Sequence, residues 1–164
     1  MTPKDILDFW FAEENRRAWF QSTPRFDQTI RERFEDAWRQ ARDGELSHWE
    51  ETPEGALALA IILDQFPLNM YRNQAASFST EAKARDVSRR ALEKGWDQDF
   101  TEEQKLFLYL PWMHSESLED QERSVQLFTD AGMDTRFAHH HHDIVARFGR
   151  FPHRNIPLDR DNTP

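Results

Sequence analysis

Thr52-Pro53-Glu54-Gly55-Ala56-Leu57-Ala58-Leu59-Ala60-Ile61-Ile62-Leu63-Asp64-Gln65-Phe66-Pro67 is the stretch on which the fold turns. Thr52 is a preferred N-cap, and Pro53 suits the first helical position, where a missing N–H costs nothing. From Ala56 to Leu63 every residue is apolar, so a helix there has no polar face to turn to water. Such a helix belongs at the centre of a protein, with other helices around it. Pro67 predicts its end, because the ring removes a hydrogen bond and clashes with the preceding turn.

Start and stop signals continue on both sides. Thr2-Pro3 opens a helix with Ile6, Leu7, Trp10 and Phe11 on one face. Phe26, Ile30, Phe34 and Trp38 recur every four residues before a stop at Gly44. Thr80 opens a helix that runs to Lys94 and stops at Gly95. Thr101 and Gln104 form a capping box ahead of Leu106, Phe107, Tyr109 and Leu110, and Pro111 is expected to kink or end that helix. Ser117 and Asp120 resemble a second capping box, with a stop at Gly132. The last helix carries Phe137, His141, Ile144, Val145 and Phe148 and closes at Gly149. No stretch alternates with period two. The expectation is an all-α protein of about seven helices in antiparallel pairs, one domain over residues 1–155, with residues 156–164 as a polar, frayed tail.

Composition narrows the function classes. The chain has 164 residues and no cysteine, which excludes disulfides, thiolate metal sites and a cysteine nucleophile. Aromatic residues make up 13% and supply core volume with few side chains. A net charge of −9 opposes broad nucleic-acid binding and docking to anionic lipid. No apolar run is long enough to cross a bilayer, and no signal peptide is legible at Met1–Asp5, so a soluble cytoplasmic protein is expected.

One phrase is spoken twice. Asp64-Gln65-Phe66-Pro67-Leu68-Asn69-Met70-Tyr71-Arg72 and Gly149-Arg150-Phe151-Pro152-His153-Arg154-Asn155 each join a Phe-Pro step to Asn and Arg. Between them lies His114-Ser115-Glu116-Ser117-Leu118-Glu119-Asp120. Arg forks suit carboxylate and phosphate, so Arg147, Arg150, Arg154 and Arg72, with Asn69 and Asn155, outline a candidate anion pocket. The alternative is internal pairing of these arginines with Asp64, Glu116, Asp120 and free carbonyls at helix ends. His114 is the side chain best suited to proton transfer, with Glu116 as its orienting carboxylate, although the spacing matches no hydrolase signature. The alternative there is a helix-end packing residue beside dipole-favoured carboxylates. Trp112 is a candidate pocket wall, against the commoner use of such a ring in a core. His139, His142 and Asp143 share a helix face but lack a fourth ligand, so no metal and no cofactor are expected.

Four of these segments, Leu63–Arg72, Leu106–Glu116, Asp120–Val125 and Ala146–Asn155, together with Ile6-Leu7-Asp8-Phe9-Trp10-Phe11, resemble a bacterial family known as domain of unknown function 924. The resemblance spans essentially the whole chain, and Leu68 after Phe-Pro is a mild departure from the family pattern. It implies a helical fold similar to tetratricopeptide repeats and carries no catalytic assignment. His139–His142 runs directly into a family-like segment and reads as native sequence. The functional expectation is a protein that binds a small anionic ligand or an acidic peptide end in a pocket of Asp64, Arg72, His114, Glu116, Arg147, Arg150 and Arg154. The alternatives are a hydrolase or phosphoryl-handling enzyme with His114 as acid/base, or a helical interaction scaffold.

Overall fold

The structure, a computed structural model, describes residues 1–162. Among them every regular element is helical: α1 (Pro3–Trp10), α2 (Pro24–Arg42), α3 (Pro53–Asp64), α4 (Phe66–Met70), α5 (Glu81–Glu93), α6 (Glu102–Met113), α7 (Leu118–Asp130) and α8 (Arg136–Phe148). Short 3-10 turns fill most of the connections, among them Glu13–Ala18, Ser47–Glu51, Ala75–Phe78 and Pro152–Arg154.

The helices begin where the capping residues stand. Thr2 and Thr101 close full capping boxes with Asp5 and Gln104, while Thr23 and Thr52 accept from Phe26 N and Gly55 N. Three details differ from expectation. Ser117 accepts from Asp120 N at 3.5 Å, but the Asp120 carboxylate accepts from Ser115 Oγ, so the second box stays open. Pro67 does not stop α3, which ends at Asp64; it sits in the first turn of α4, the position that tolerates a missing N–H. Pro111 lies inside α6, which runs on to Met113 and bonds His114 N to Leu110 O at 3.1 Å. Phe107 to Met113 are all buried, so packing on both sides outweighs the one hydrogen bond that Pro111 removes.

Helix α3 is buried from Gly55 to Asp64 and packs against α1, α2, α5 and α6. Gly55 is there for space: a Cβ would meet the Trp49 carbonyl oxygen at 1.8 Å, so any side chain would push away the Ser47–Glu51 turn. On one side of α3 the aromatics interlock, with ring centroids of Phe9 and Phe34 4.9 Å apart, Phe34 and Phe66 5.1 Å, and Trp10 and Phe107 5.3 Å. The sequential helices α5, α6, α7 and α8 stack one upon the next, and α6 brings Phe107 to the aromatic cluster. Thr80 opens α5 as expected, but its side chain does not cap: Oγ1 donates to Leu63 O at 2.6 Å and accepts from Trp38 Nε1, tying the start of α5 to the end of α3. That tie fixes where Asp64 emerges.

Candidate functional site

Asp64 is the last residue of α3, and its carboxylate is 1% exposed. A lone carboxylate there would cost several kcal/mol, so it needs partners. It accepts from Gln65 Nε2 at 2.9 Å and meets His114 Nδ1 at 2.9 Å. His114 follows α6 directly, at its C-cap, where a cation is favoured by the helix dipole. Burial alone would push the His114 imidazole down, but the charge and hydrogen bond of Asp64, with Glu81 beyond, lift it above its ordinary value of 6.5 against the opposing Arg154. Nδ1–H therefore donates to Asp64, and the charged form of the ring is favoured. Among the described residues no hydrogen bond engages His114 Nε2.

The carboxyl-terminal segment completes this centre. Arg154, 4% exposed, donates to Glu81 Oε1 at 3.0 Å and to the His114 carbonyl at 2.9 Å, with its guanidinium against the Phe78 and Phe151 rings. Burial pushes the Glu81 carboxyl up, and Arg154 offsets only part of it. Glu116 accepts from Phe151 N at 2.7 Å and from both Arg160 nitrogens at 2.9 and 3.1 Å. Burial would raise its carboxyl, but Arg160, the Phe151 amide and Arg154 hold it below its usual range. Within the expected tail, Leu158 N bonds Arg154 O, Arg160 N bonds Asn155 O, and Arg160 grips Glu116.

His114 also lines an elongated cleft of about 550 Å³. Leu106, Leu110 and Met113 of α6 form one wall, one helical turn apart, and Phe128 of α7 and Phe137 of α8 form others. Phe20 and Phe137, 67% and 68% exposed, flank it. From Glu103 at the start of α6 to His114 at its end the cleft follows the helix for about 16 Å, at 1.5 Å per residue. One end is acidic, with Glu102 and Glu103; the other holds His114 and His141. His141 contacts the Phe137 carbonyl through Nδ1 at 2.7 Å. Burial pushes this imidazole down, and the Phe137 carbonyl recovers only part of the loss.

The expected site residues divide into two groups. Asp64, His114, Glu116, Arg154 and, through its main chain, Asn155 come together as described. Asn69 and Arg72 do not join them: both bind Asp27, Asn69 from Nδ2 at 2.9 Å and Arg72 from Nε at 3.0 Å. Trp112 donates to Ser88 Oγ at 3.0 Å and borders a different depression, beside Arg89 and Arg123. Arg147 is exposed on α8 against the Phe148 ring, and Arg150 reaches the Asp161 carbonyl. His114 is oriented by Asp64 rather than Glu116, which is taken by Arg160. Glu81, His141 and Arg160 escaped the sequence reading. His141 stood out only for its spacing to the apolar residues of α8, and nothing local marks the other two. Among the described residues no cluster of three or more His, Asp or Glu side chains is placed to hold a metal ion.

Fold and site together define an all-helical, single-domain protein with a buried Asp–His pair opening on an apolar cleft. Residues 6–164 match the family described as "Bacterial protein of unknown function (DUF924)", and the chain belongs to that family. It is similar to a solved structure of a protein of unknown function from Agrobacterium tumefaciens, with 40% identity, a TM-score of 0.91, and 99% of this chain and 92% of that one covered. No curated protein matches it.

Proposed function

We propose that the protein binds a small carboxylic acid with an extended apolar chain, laid along α6 with its carboxylate on His114 Nε2. The observation that supports this reading most is the pairing of a long apolar cleft with one imidazole whose other nitrogen is fixed by buried Asp64. Clefts of roughly 300–1,000 Å³ suit such ligands, and a few placed polar groups orient them. Arg72, Arg150 and Arg154 are engaged with protein carboxylates and carbonyls, and Arg147 lies exposed on α8 outside the cleft lining, which leaves the head group to His114. A single carboxylate fits one N–H donor, while the carboxylates of Glu102, Glu103 and Asp134 along the cleft disfavour a polyanion such as phosphate. The stacked sequential helices α5 to α8 support a tetratricopeptide-like architecture, and a cytoplasmic location is part of the same reading.

Octanoate is a suitable probe. Calorimetric titration should show binding that His114→Gln weakens at least tenfold and Leu110→Trp abolishes by filling the cleft. Affinity should fall as pH rises through the raised His114 value, because the neutral ring no longer attracts the carboxylate. Equal octanoate affinity for the wild type and His114→Gln would overturn the reading.

A further inference from the structure

Two imidazoles border the same end of the cleft, each with Nδ1 held by an oxygen, a carboxylate for His114 and a neutral carbonyl for His141. Asp64 occupies His114 Nδ1, so a protonated His114 presents N–H at Nε2. The Phe137 carbonyl occupies His141 Nδ1, which must therefore carry the hydrogen, leaving a lone pair on Nε2. The anionic partner favours the doubly protonated ring at His114, with Nε2 a donor, and the uncharged carbonyl gives His141 no such support, which leaves its Nε2 an acceptor. The cleft lining includes no Ser, Thr or Lys, and the chain has no Cys, so water is the nucleophile available there.

We propose that the cleft hydrolyses alkyl esters of apolar carboxylic acids, with His141 as general base on water and His114 as general acid on the departing alkoxide. The substrate class rests on the binding reading above, since the acid released is the ligand proposed there. His141 Nε2 takes a proton from water as the water oxygen bonds to the acyl carbon. The tetrahedral adduct then breaks its acyl carbon–alkoxy bond, and the Nε2 proton of His114 passes to the departing oxygen. The products are the carboxylic acid and the alcohol; solvent removes the proton from His141 and returns one to His114. Asp64 keeps the His114 ring in the donor orientation throughout, as a positioning residue.

The surroundings keep the two rings in these states together. His114 faces Asp64 from α3, Glu81 from α5 and Arg154 from the carboxyl-terminal turn, and the sum lifts it. His141 faces His114, His140 and His153; burial lowers it, the Phe137 carbonyl offsets part of that, and the neighbouring imidazoles add to the lowering. The acidic groups Glu102, Glu103 and Asp134 line the rest of the cleft. Between the lowered and the raised values His141 is free base and His114 is acid, so the rate should follow a bell with that plateau.

Two esters separate the roles. Nitrophenolate leaves without a proton, whereas ethoxide needs one. His141→Gln should slow hydrolysis of both p-nitrophenyl octanoate and ethyl octanoate about 100-fold or more in kcat. His114→Gln should slow ethyl octanoate at least tenfold more than the nitrophenyl ester. Helical circular dichroism and octanoate titration of His141→Gln verify that the variant is folded and its cleft intact. Octanoate binding by a wild type that turns over neither ester overturns the catalytic assignment and leaves the binding reading standing. Loss of octanoate binding as well removes both. Equal slowing of the two esters by His114→Gln overturns the acid role.

Discussion

The two Phe-Pro segments share a phrase and do different work. Both bury their phenylalanine, Phe66 and Phe151, at 0% and 1% exposure. Phe66 enters the aromatic cluster with Phe9, Trp10 and Phe34, whereas Phe151 meets His141, His153 and the Arg154 guanidinium. Both also send one polar residue to the His114 centre: Asp64 lies ahead of the first Phe-Pro step, and Arg154 behind the second. The remaining Asn and Arg of the midchain copy, Asn69 and Arg72, turn away to Asp27. Similar local sequence fixes a buried ring and a change of chain direction; the neighbours decide which polar side chain reaches the centre.

Mutations can break this comparison. Asp64→Ala should have the largest effect, about 3 kcal/mol in chemical denaturation, because it strips the buried partner from His114. The loss should shrink toward higher pH, where His114 is neutral without Asp64. Arg154→Ala should follow at about 2 kcal/mol, since it leaves Glu81 in a buried site and the His114 carbonyl without its donor. Its counterpart Arg72→Ala should cost well under about 1 kcal/mol, because that side chain is half exposed. Equal losses for the two arginines would show that the segments are energetically alike.

The smallest effect sharpens the comparison through pH. His114 has a raised folded value, so its contribution to stability is complete below the ordinary value of 6.5 and is lost as pH rises through the folded one. Glu116 has a lowered value, so its contribution holds above the ordinary 4.5 and is lost as pH falls through the folded one. Stability measured against pH should therefore decline on both flanks. Glu116→Gln should remove much of the acid flank and speed amide exchange at Phe151 and Arg160, while the midchain segment around Phe66 stays protected.

Much of the fold was legible because its signals are local. A threonine cap, a proline in the first turn and apolar residues at helical spacing act within a few positions of one another, as at Thr2, Thr52 and Thr101. The misjudged Pro111 shows the limit, since packing from distant helices overrides the lost hydrogen bond. The site was only half legible. Asp64, His114, Glu116 and Arg154 are polar residues beside helix ends and draw attention; Glu81 sits in an ordinary first helical turn and Arg160 in a polar tail.

The sequence by itself determined that helices form, where most begin and stop, that α3 is central, and that unlike charges must be neutralised somewhere inside. Only the tertiary structure decided that Asp64 meets His114 across fifty positions, that Arg160 rather than an earlier arginine holds Glu116, and that His141 shares a cleft with His114. The reason is that capping and periodicity are set by bonds between near neighbours. Partner choice among many carboxylates and arginines depends on which helix ends the packing of the core brings together.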